Sequence, residues 1–555
     1  MALTRRRFSR AIGVAGTALA ADSIKLNASM TKKDKRPNLL IIMTDQQRYD
    51  ALSIAGNKVL TTPHMDSIGK AGAYFSRALC HSPVCAPARA ALLTGHNIEH
   101  TGIRTNSAVF LPESEGLCRQ LTFDEILAKN GYYSEYHGKY HSPIHRAGGY
   151  QRFEYTQGNG RFMMKSENDF RRVFIPSKVK KNAPVMGQQI DNYYGLPYTM
   201  DPVDSRYGLP PTNKIPGKNG TSDNVLQPDN HGRLDIPLDA TVTAYQAQNT
   251  IDAIKRASAQ SQPFNITCSL HYPHAPLVVP DPYYSMYPAE EMVAPESIHD
   301  NMENSPYRNA NWRSRRTQFQ DPQLIKYMIS NYYGLVKECD DWIGKILGTL
   351  QNLGLEENTL VIFTSDHGEM LGSHGMREKN VFFEESVRVP LMLRMPGKIA
   401  AGTVADVPVD HLDLFSTILD YMGIDESPSD GSSLRPIIEG VVPAGEKYAV
   451  SEWNYDLAGN NINIPNFCLR TKNWKLMMSR GEKTIDCLFD LDNDPHEMNN
   501  LIGKNKDKDR YADQANHMKS LLIHYMAKVN HPHIAAISKK VLAEEKPFWS
   551  IPFFS

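Results

Sequence analysis

No C-x-x-C pair, no apolar run long enough to cross a bilayer and no surplus of either charge occur in this sequence. Lys+Arg and Asp+Glu number 61 each, which excludes a global electrostatic grip on nucleic acid or an anionic membrane. The seven cysteines, at 80, 85, 118, 268, 339, 468 and 487, are odd in number and spaced unlike a disulfide framework or a zinc ribbon. Cys468 and Cys487 stay open as a pair. Internal repeats and low-complexity tracts are also missing, so solenoids and disordered scaffolds drop out. What remains, 41% hydrophobic and 22% charged over 555 residues, suits one large α/β domain with a smaller one beside it.

The N-terminus reads MALTRRRFSRAIGVAGTALAADS. Arg5, Arg6 and Arg7, then Phe8, a short weakly apolar run and Ala18-Leu19-Ala20 predict a twin-arginine-type signal over 1–22. The mature protein is therefore expected to be exported, periplasmic or secreted, with no stable membrane span and no nucleic-acid partner.

RPNLLIIMTD (36–45) and NTLVIFTSDHGE (358–369) are continuous apolar runs that reach a carboxylate. Such runs predict parallel strands buried on both faces. Helical patterns over 239–257 and 328–354 precede apolar strands, which is the alternation of an α/β sheet covered by helices. Ligands of open α/β sheets gather outside the carboxyl ends of the strands, so Asp45 and Asp366 are predicted to meet there. Residues 150–235 show little periodicity and much Tyr, Asn, Gly, Pro and Lys; a substrate-shaping insertion and a plain excursion are both open. A Pro/Ser/Gly/Asp cluster near 425–445 reads as a linker. Beyond it, short strands and a helix around 508–529 predict a small antiparallel sheet with a packed helix over 445–545, against a main domain of 36–428.

One stretch asks for chemistry: HSPVCAPARAALLTG, residues 81–95. Pro87 suits the first turn of a helix, and ARAALL continues it. Cys85 then sits at a helix N-terminus, where free N–H groups favour an anion, with Arg89 one turn later on the same face.

Cys85-Ala86-Pro87-Ala88-Arg89, followed by Leu92, Thr94 and Gly95, resembles the C-x-P-x-R signature of the formylglycine-dependent (type I) sulfatases. The likeness runs along most of the mature chain in the family's order. RPNLLIIMTDQQRYDALS resembles the opening strand and metal pair, HGKYH the G-K-W-H motif and HYPHAP the P-H-x-P motif. TSDHGEMLGSHGMREKN and LFDLDNDPHEMNNL resemble two later blocks. The resemblance implies an alkaline-phosphatase-like fold: a large mixed, mostly parallel sheet sandwiched by helices, with a smaller C-terminal antiparallel sheet. It implies a sulfuric ester hydrolase in which a formylglycine-generating or sulfatase-maturing enzyme oxidises Cys85 to formylglycine. It implies one divalent cation, calcium, held by Asp45, Gln46, residue 85, Asp366 and His367. Gln46 stands where many members carry Asp, His367 where some carry Asn, and Tyr140 where Trp is usual. Lys139, Lys379 and Arg89 would hold the sulfate or the nucleophile, and His274 or Lys379 would protonate the leaving oxygen. His141 would take a proton at residue 85, so that the aldehyde is restored.

The basic stretches RFMMKSENDFRRVF and NWRSRR, with Trp312 and tyrosines 193, 194, 198 and 207, are candidates for an anionic, sugar-stacking cleft. A sulfated polysaccharide or oligosaccharide, such as the algal galactan carrageenan, is the expected substrate. Three alternatives stay open: a phosphonate monoester hydrolase or phosphodiesterase of the same superfamily, an aryl or choline sulfatase, and a catalytically silent glycan-binding homologue.

Overall fold

The computed structural model describes residues 36–106, 118, 120–142, 144, 152–154, 231–234, 236–275, 277–308, 317–425, 428–441, 445–454, 464–481 and 484–544. The predicted signal, nearly all of the 150–235 insertion and the NWRSRR stretch lie outside them. Fourteen strands are described: β1 (Asn38–Asp45), β2 (Ala73–Leu79), β3 (Tyr133–Gly138), β4 (Arg152–Glu154), β5 (His231–Leu234), β6 (Phe264–Pro273), β7 (Leu277–Pro280), β8 (Thr359–Ser365), β9 (Leu391–Arg394), β10 (Thr403–Asp410), β11 (Ala449–Asn454), β12 (Pro465–Arg470), β13 (Trp474–Ser479) and β14 (Cys487–Asp490). Helices used below are α1 (Pro63–Lys70), α2 (Cys85–Thr94), α3 (Ile98–Thr101), α4 (Val242–Ser258), α5 (Pro322–Asn352), α6 (Leu412–Met422), α7 (Ala512–Lys528) and α8 (Ile534–Glu544).

Eight strands form one sheet in the order β10-β2-β9-β8-β1-β6-β3-β4. All its pairings are parallel except those of β9, which runs antiparallel to both β2 and β8. The expected mixed, mostly parallel sheet is therefore present. Its middle strands β1, β6 and β8 are buried along their whole length, and β1 and β8 carry unbroken apolar runs, because both faces are covered. Leu39, Ile41 and Ile362 enter a core shared with α2 and α6, while Leu40, Ile42 and Phe363 enter a second core with α4 and α5. Helix α5 starts at Pro322 rather than near 328, because Asp321 caps Gln323 N–H at 2.9 Å and proline suits the first turn.

The second sheet, β11-β12-β13-β14, is antiparallel. One face carries Val450, Leu469 and Leu476 against Met518 and Leu522 of α7 and Ile537 of α8. The other gives Trp453, Cys468, Met477 and Phe489 to the main sheet's core, so the two sheets share apolar contacts. Cys468 and Cys487 both face Met477 from opposite sides and are free. With one strand between them they stand two interstrand spacings apart, roughly 10 Å, beyond disulfide reach. The stretch expected to be a linker is packed: Leu434 and Ile438 are buried, and Asp430 N–H donates to Gly95 C=O at 2.8 Å. Its serines and aspartates are there to bond, as in Ser433 Oγ to Asp420 at 2.7 Å. Among the described residues, no helix is long and apolar enough to cross a membrane.

Candidate active site

Strands β8, β1, β6 and β3 are consecutive neighbours and mutually parallel, so their carboxyl ends share one rim. β1 ends in Asp45 and continues into Gln46, and β8 is followed by Asp366 and His367. β6 is followed by His274, and β3 by Lys139, Tyr140 and His141. Four distant segments thus deliver their polar residues to one place, as expected for an open α/β sheet. The backbone is tight here. Gly138 has φ 105, and a Cβ on it would lie 1.8 Å from the Ser269 carbonyl oxygen, so only glycine lets β3 end against β6. Gln46 and His141 hold φ values of 66 and 42, conformations that side-chain-bearing residues keep only when their surroundings enforce them.

Helix α2 arrives at this rim with Cys85 as its first residue, 1% exposed. Cys85 Sγ lies 3.0 Å from His367 Nε2 and 3.8 Å from Lys139 Nζ. Burial alone would push this thiol up, yet Lys139, Lys379 and His367 outweigh burial and hold it well below the ordinary thiol value. The position is therefore built for an anion. His141 faces Cys85, with both ring nitrogens buried outside hydrogen-bonding geometry. Its pKa is lowered, chiefly by burial, which keeps the imidazole neutral and able to accept a proton.

Arg89, one turn along α2, braces the site from behind. Its Nε donates to Asp366 at 2.8 Å and its Nη2 to Asp45 at 2.9 Å. Its Nη1 donates to the Lys139 carbonyl at 2.6 Å and to Ser269 Oγ at 2.9 Å. The guanidinium thus fixes both carboxylates and two strand ends through bonds that match its planar fork. Lys139 pairs with Asp45. Burial raises Asp45, but Lys139, His274 and Arg89 prevail and keep it well below the usual carboxylate range.

A second chain of contacts crosses the mouth. Lys379 Nζ donates to Gln46 Oε1 and lies 3.0 Å from His274 Nε2, and Gln46 Nε2 donates to Glu369. An ammonium only donates and a carboxylate only accepts, so the amide can face only one way. His274, its side chain 20% exposed, stands at the opening, whereas Lys139 and Lys379 are buried. All the residues expected from sequence, Asp45, Gln46, Cys85, Arg89, Lys139, His141, His274, Asp366, His367 and Lys379, fall in this one neighbourhood. The sequence reading missed Glu369, Ser269 and Tyr332, whose hydroxyl donates to Gln46 C=O at 2.6 Å. Glu369 follows the S-D-H-G string, and that adjacency was its one available signal.

The donors suit a divalent cation. Ligand atoms of Asp45, Cys85, Asp366 and His367 lie within 4.8 Å of one another, and Asp45 Oδ1 is buried with no hydrogen-bond partner. Two carboxylates and the Gln46 amide oxygen are hard ligands of the calcium kind; a thiolate is not. The alternative candidate His64, Asp340 and Asp341 is already served by Lys337, which lies 3.0 Å and 2.6 Å from the two carboxylates.

The Sulfatase family profile matches residues 37–424, and that of the N-sulphoglucosamine sulphohydrolase C-terminal region matches 372–527. The ulvan-active sulfatase of Formosa agariphila is 30% identical over 474 residues, 84% of this chain and 78% of its own. The N-acetylglucosamine-6-O-sulfatase of Bacteroides thetaiotaomicron is 27% identical, covering 88% of this chain and 86% of its own. In fold, the phosphonate monoester hydrolase of Agrobacterium radiobacter superposes with a TM-score of 0.68 at 22% identity, over 89% of this chain and 96% of that one.

Proposed function

The chain belongs to the sulfatase family and is a sulfuric ester hydrolase, and from that premise we propose that it removes sulfate from a polysaccharide or oligosaccharide met outside the cytoplasm. The observation that carries the reading is geometric: buried Cys85 opens helix α2 with His367 Nε2 3.0 Å and Lys139 Nζ 3.8 Å from its Sγ, beside the Asp45 and Asp366 carboxylates that Arg89 braces. Formylglycine at position 85 would supply a hydrated aldehyde as nucleophile, and Asp45, Gln46, Asp366 and His367 would hold a calcium ion whose positive charge would stand beside it. Everything else falls to the chain's own side chains. Lys139 and Lys379 would face the sulfate oxygens, and Arg89 keeps Asp45 and Asp366 in register behind them. His141, neutral through burial, takes a proton at residue 85. The proton for the departing sugar oxygen would come from the Lys379 ammonium, directly or through His274 at the opening, whose Nε2 lies 3.0 Å from Lys379 Nζ. Cys85 is almost fully buried, so the maturing enzyme must reach it before the chain closes over it.

A carbohydrate substrate is supported by the names of the two relatives, one ulvan-active and one an N-acetylglucosamine-6-O-sulfatase. An algal galactan such as carrageenan stays within this reading, as does export by the signal at 1–22. The test is release of inorganic sulfate from a panel holding ulvan, carrageenan and glycosaminoglycan oligosaccharides, alongside aryl and choline sulfates and a phosphonate monoester. Turnover of the saccharides above the small esters is expected. Activity confined to aryl or choline sulfate refutes the glycan reading, and faster phosphonate hydrolysis favours the superfamily alternative.

A further inference from the structure

At the opposite end of helix α2 from Cys85, three side chains from three segments converge. His96 follows Gly95, whose φ of 69 ends the helix; His100 lies on α3; Asp430 comes from the packed segment after α6. Asp430 Oδ2 lies 2.8 Å from His100 Nδ1 and 3.4 Å from His96 Nδ1. It also accepts the Asn97 backbone N–H at 2.8 Å. His96 Nδ1 is itself buried and makes no hydrogen bond, although it is aimed at this oxygen. The three ligand atoms lie within 4.8 Å of one another. Zinc bonds of about 2.0–2.2 Å in a tetrahedron set ligands roughly 3.3–3.5 Å apart; His96 and Asp430 already stand at 3.4 Å, and the His100–Asp430 contact of 2.8 Å would lengthen to admit the ion.

The surroundings hold the ligands in place. Asn97 Oδ1 accepts the Glu99 and His100 N–H groups at 3.0 and 2.9 Å, fixing the start of α3, and Asn97 Nδ2 lies 3.3 Å from His100 Nδ1. Burial raises Asp430, but the hydrogen bond from His100, the nearby His96 ring and the Asn97 N–H prevail and hold its carboxyl well below the usual range. A permanent anion is thus flanked by two imidazole nitrogens, the borderline donor set that suits zinc better than calcium. The side chains of His96 and His100 are 15% and 26% exposed, so solvent can reach the cluster and supply a fourth ligand.

We infer that His96, His100 and Asp430 form a binding site for a zinc-class divalent ion, separate from the Asp45 site, which clamps the packed segment after α6 to the end of the signature helix. Asp430 N–H already donates to Gly95 C=O there, so the ion would reinforce an existing joint.

The test is zinc titration by calorimetry on the full chain carrying Cys85→Ser, in saturating calcium, so that the catalytic site offers no thiol and is filled. One zinc per chain is expected, with a rise in Tm. His96→Ala and, separately, Asp430→Asn, which keeps an acceptor for the Asn97 N–H, should each weaken binding at least tenfold and remove the Tm rise. His517→Ala, on the exposed face of α7, should change neither. In the matured enzyme, His96→Ala should leave sulfate release intact. Absence of zinc uptake, or uptake that survives both substitutions, overturns the site and leaves His96, His100 and Asp430 as an ion-paired joint only.

Discussion

Glu369 is predicted to be a positioning residue for the cation. Its carboxylate accepts from Gln46 Nε2, while Lys379 donates to Gln46 Oε1, and these two contacts fix which way the amide faces. A carboxylate at position 46 would need no such steering, since both its oxygens can bind. A hydrogen bond to a charged group contributes about 1.5–3 kcal/mol, so Glu369→Ala should weaken calcium binding about ten- to a hundredfold. Glu369→Gln retains an acceptor and should lose much less. Glu369 also accepts the Leu371 N–H at 3.1 Å and the Glu378 N–H, so a loss on its own would not distinguish steering from loop bracing. The discriminating experiment is a double-mutant cycle with Gln46→Asp, measured as calcium affinity by calorimetry and as the calcium-dependent rise in Tm. In the Gln46→Asp background there is no amide to orient, and Glu369→Ala removes a neighbouring like charge, so affinity should hold or improve. An equal loss in both backgrounds refutes the steering argument.

The chain with Cys85 unconverted presents a thiolate, an imidazole and two carboxylates, and should prefer zinc to calcium; Cys85→Ser should reverse the preference, as read by competition binding. His141→Gln should lower kcat by about 10²–10⁴ without a matching change in KM. Because burial pushes His141 down, the acid limb of the wild-type pH profile should lie below the ordinary imidazole value near 6.5 and should vanish in the variant. His411 is pushed down to about 3, chiefly by burial, and its Nε2 lies 3.1 Å from Thr364 Oγ1. The unfolded chain therefore binds a proton there that the folded chain refuses. This contribution to stability is whole above about pH 6.5 and is lost as pH falls toward 3, at up to about 1.4 kcal/mol per unit. Denaturant midpoints between pH 7 and 4 should fall less steeply in His411→Gln; an unchanged slope refutes it.

The parts of this molecule that could be read from sequence are those whose physical cause is local. The runs 36–45 and 358–369 are apolar without alternation because β1 and β8 are covered on both faces, and that covering writes itself into every residue. Position relative to a strand end is also local, which is why Asp45 and Asp366 could be placed at one rim. Direction is not local. The four residues of β9 carry no mark of running antiparallel between β2 and β8, since period and composition are the same either way. Composition misled at 428–438, where Ser and Asp look like linker but serve as bonding groups around Leu434 and Ile438. Glu369 escaped for a further reason: its partner is 323 residues away, and its role depends on the backbone turn at Gln46.

That turn explains how a site with an amide in place of a carboxylate still suits a cation while favouring an anion beside it. Asp45 and Asp366 are the two fixed negative charges, and Arg89 and Lys139 pair with them directly. Lys379 pairs with the neutral Gln46 amide instead, so its charge is not cancelled by its nearest partner. With a carboxylate at position 46, the lysine would have formed a buried ion pair, and less of its field would reach residue 85. Lys379 stands second only to Lys139 among the charges that lower the Cys85 thiol. The amide therefore gives up some attraction for the divalent ion and spares Lys379 a direct ion pair at position 46, so that more of its field reaches the reacting group.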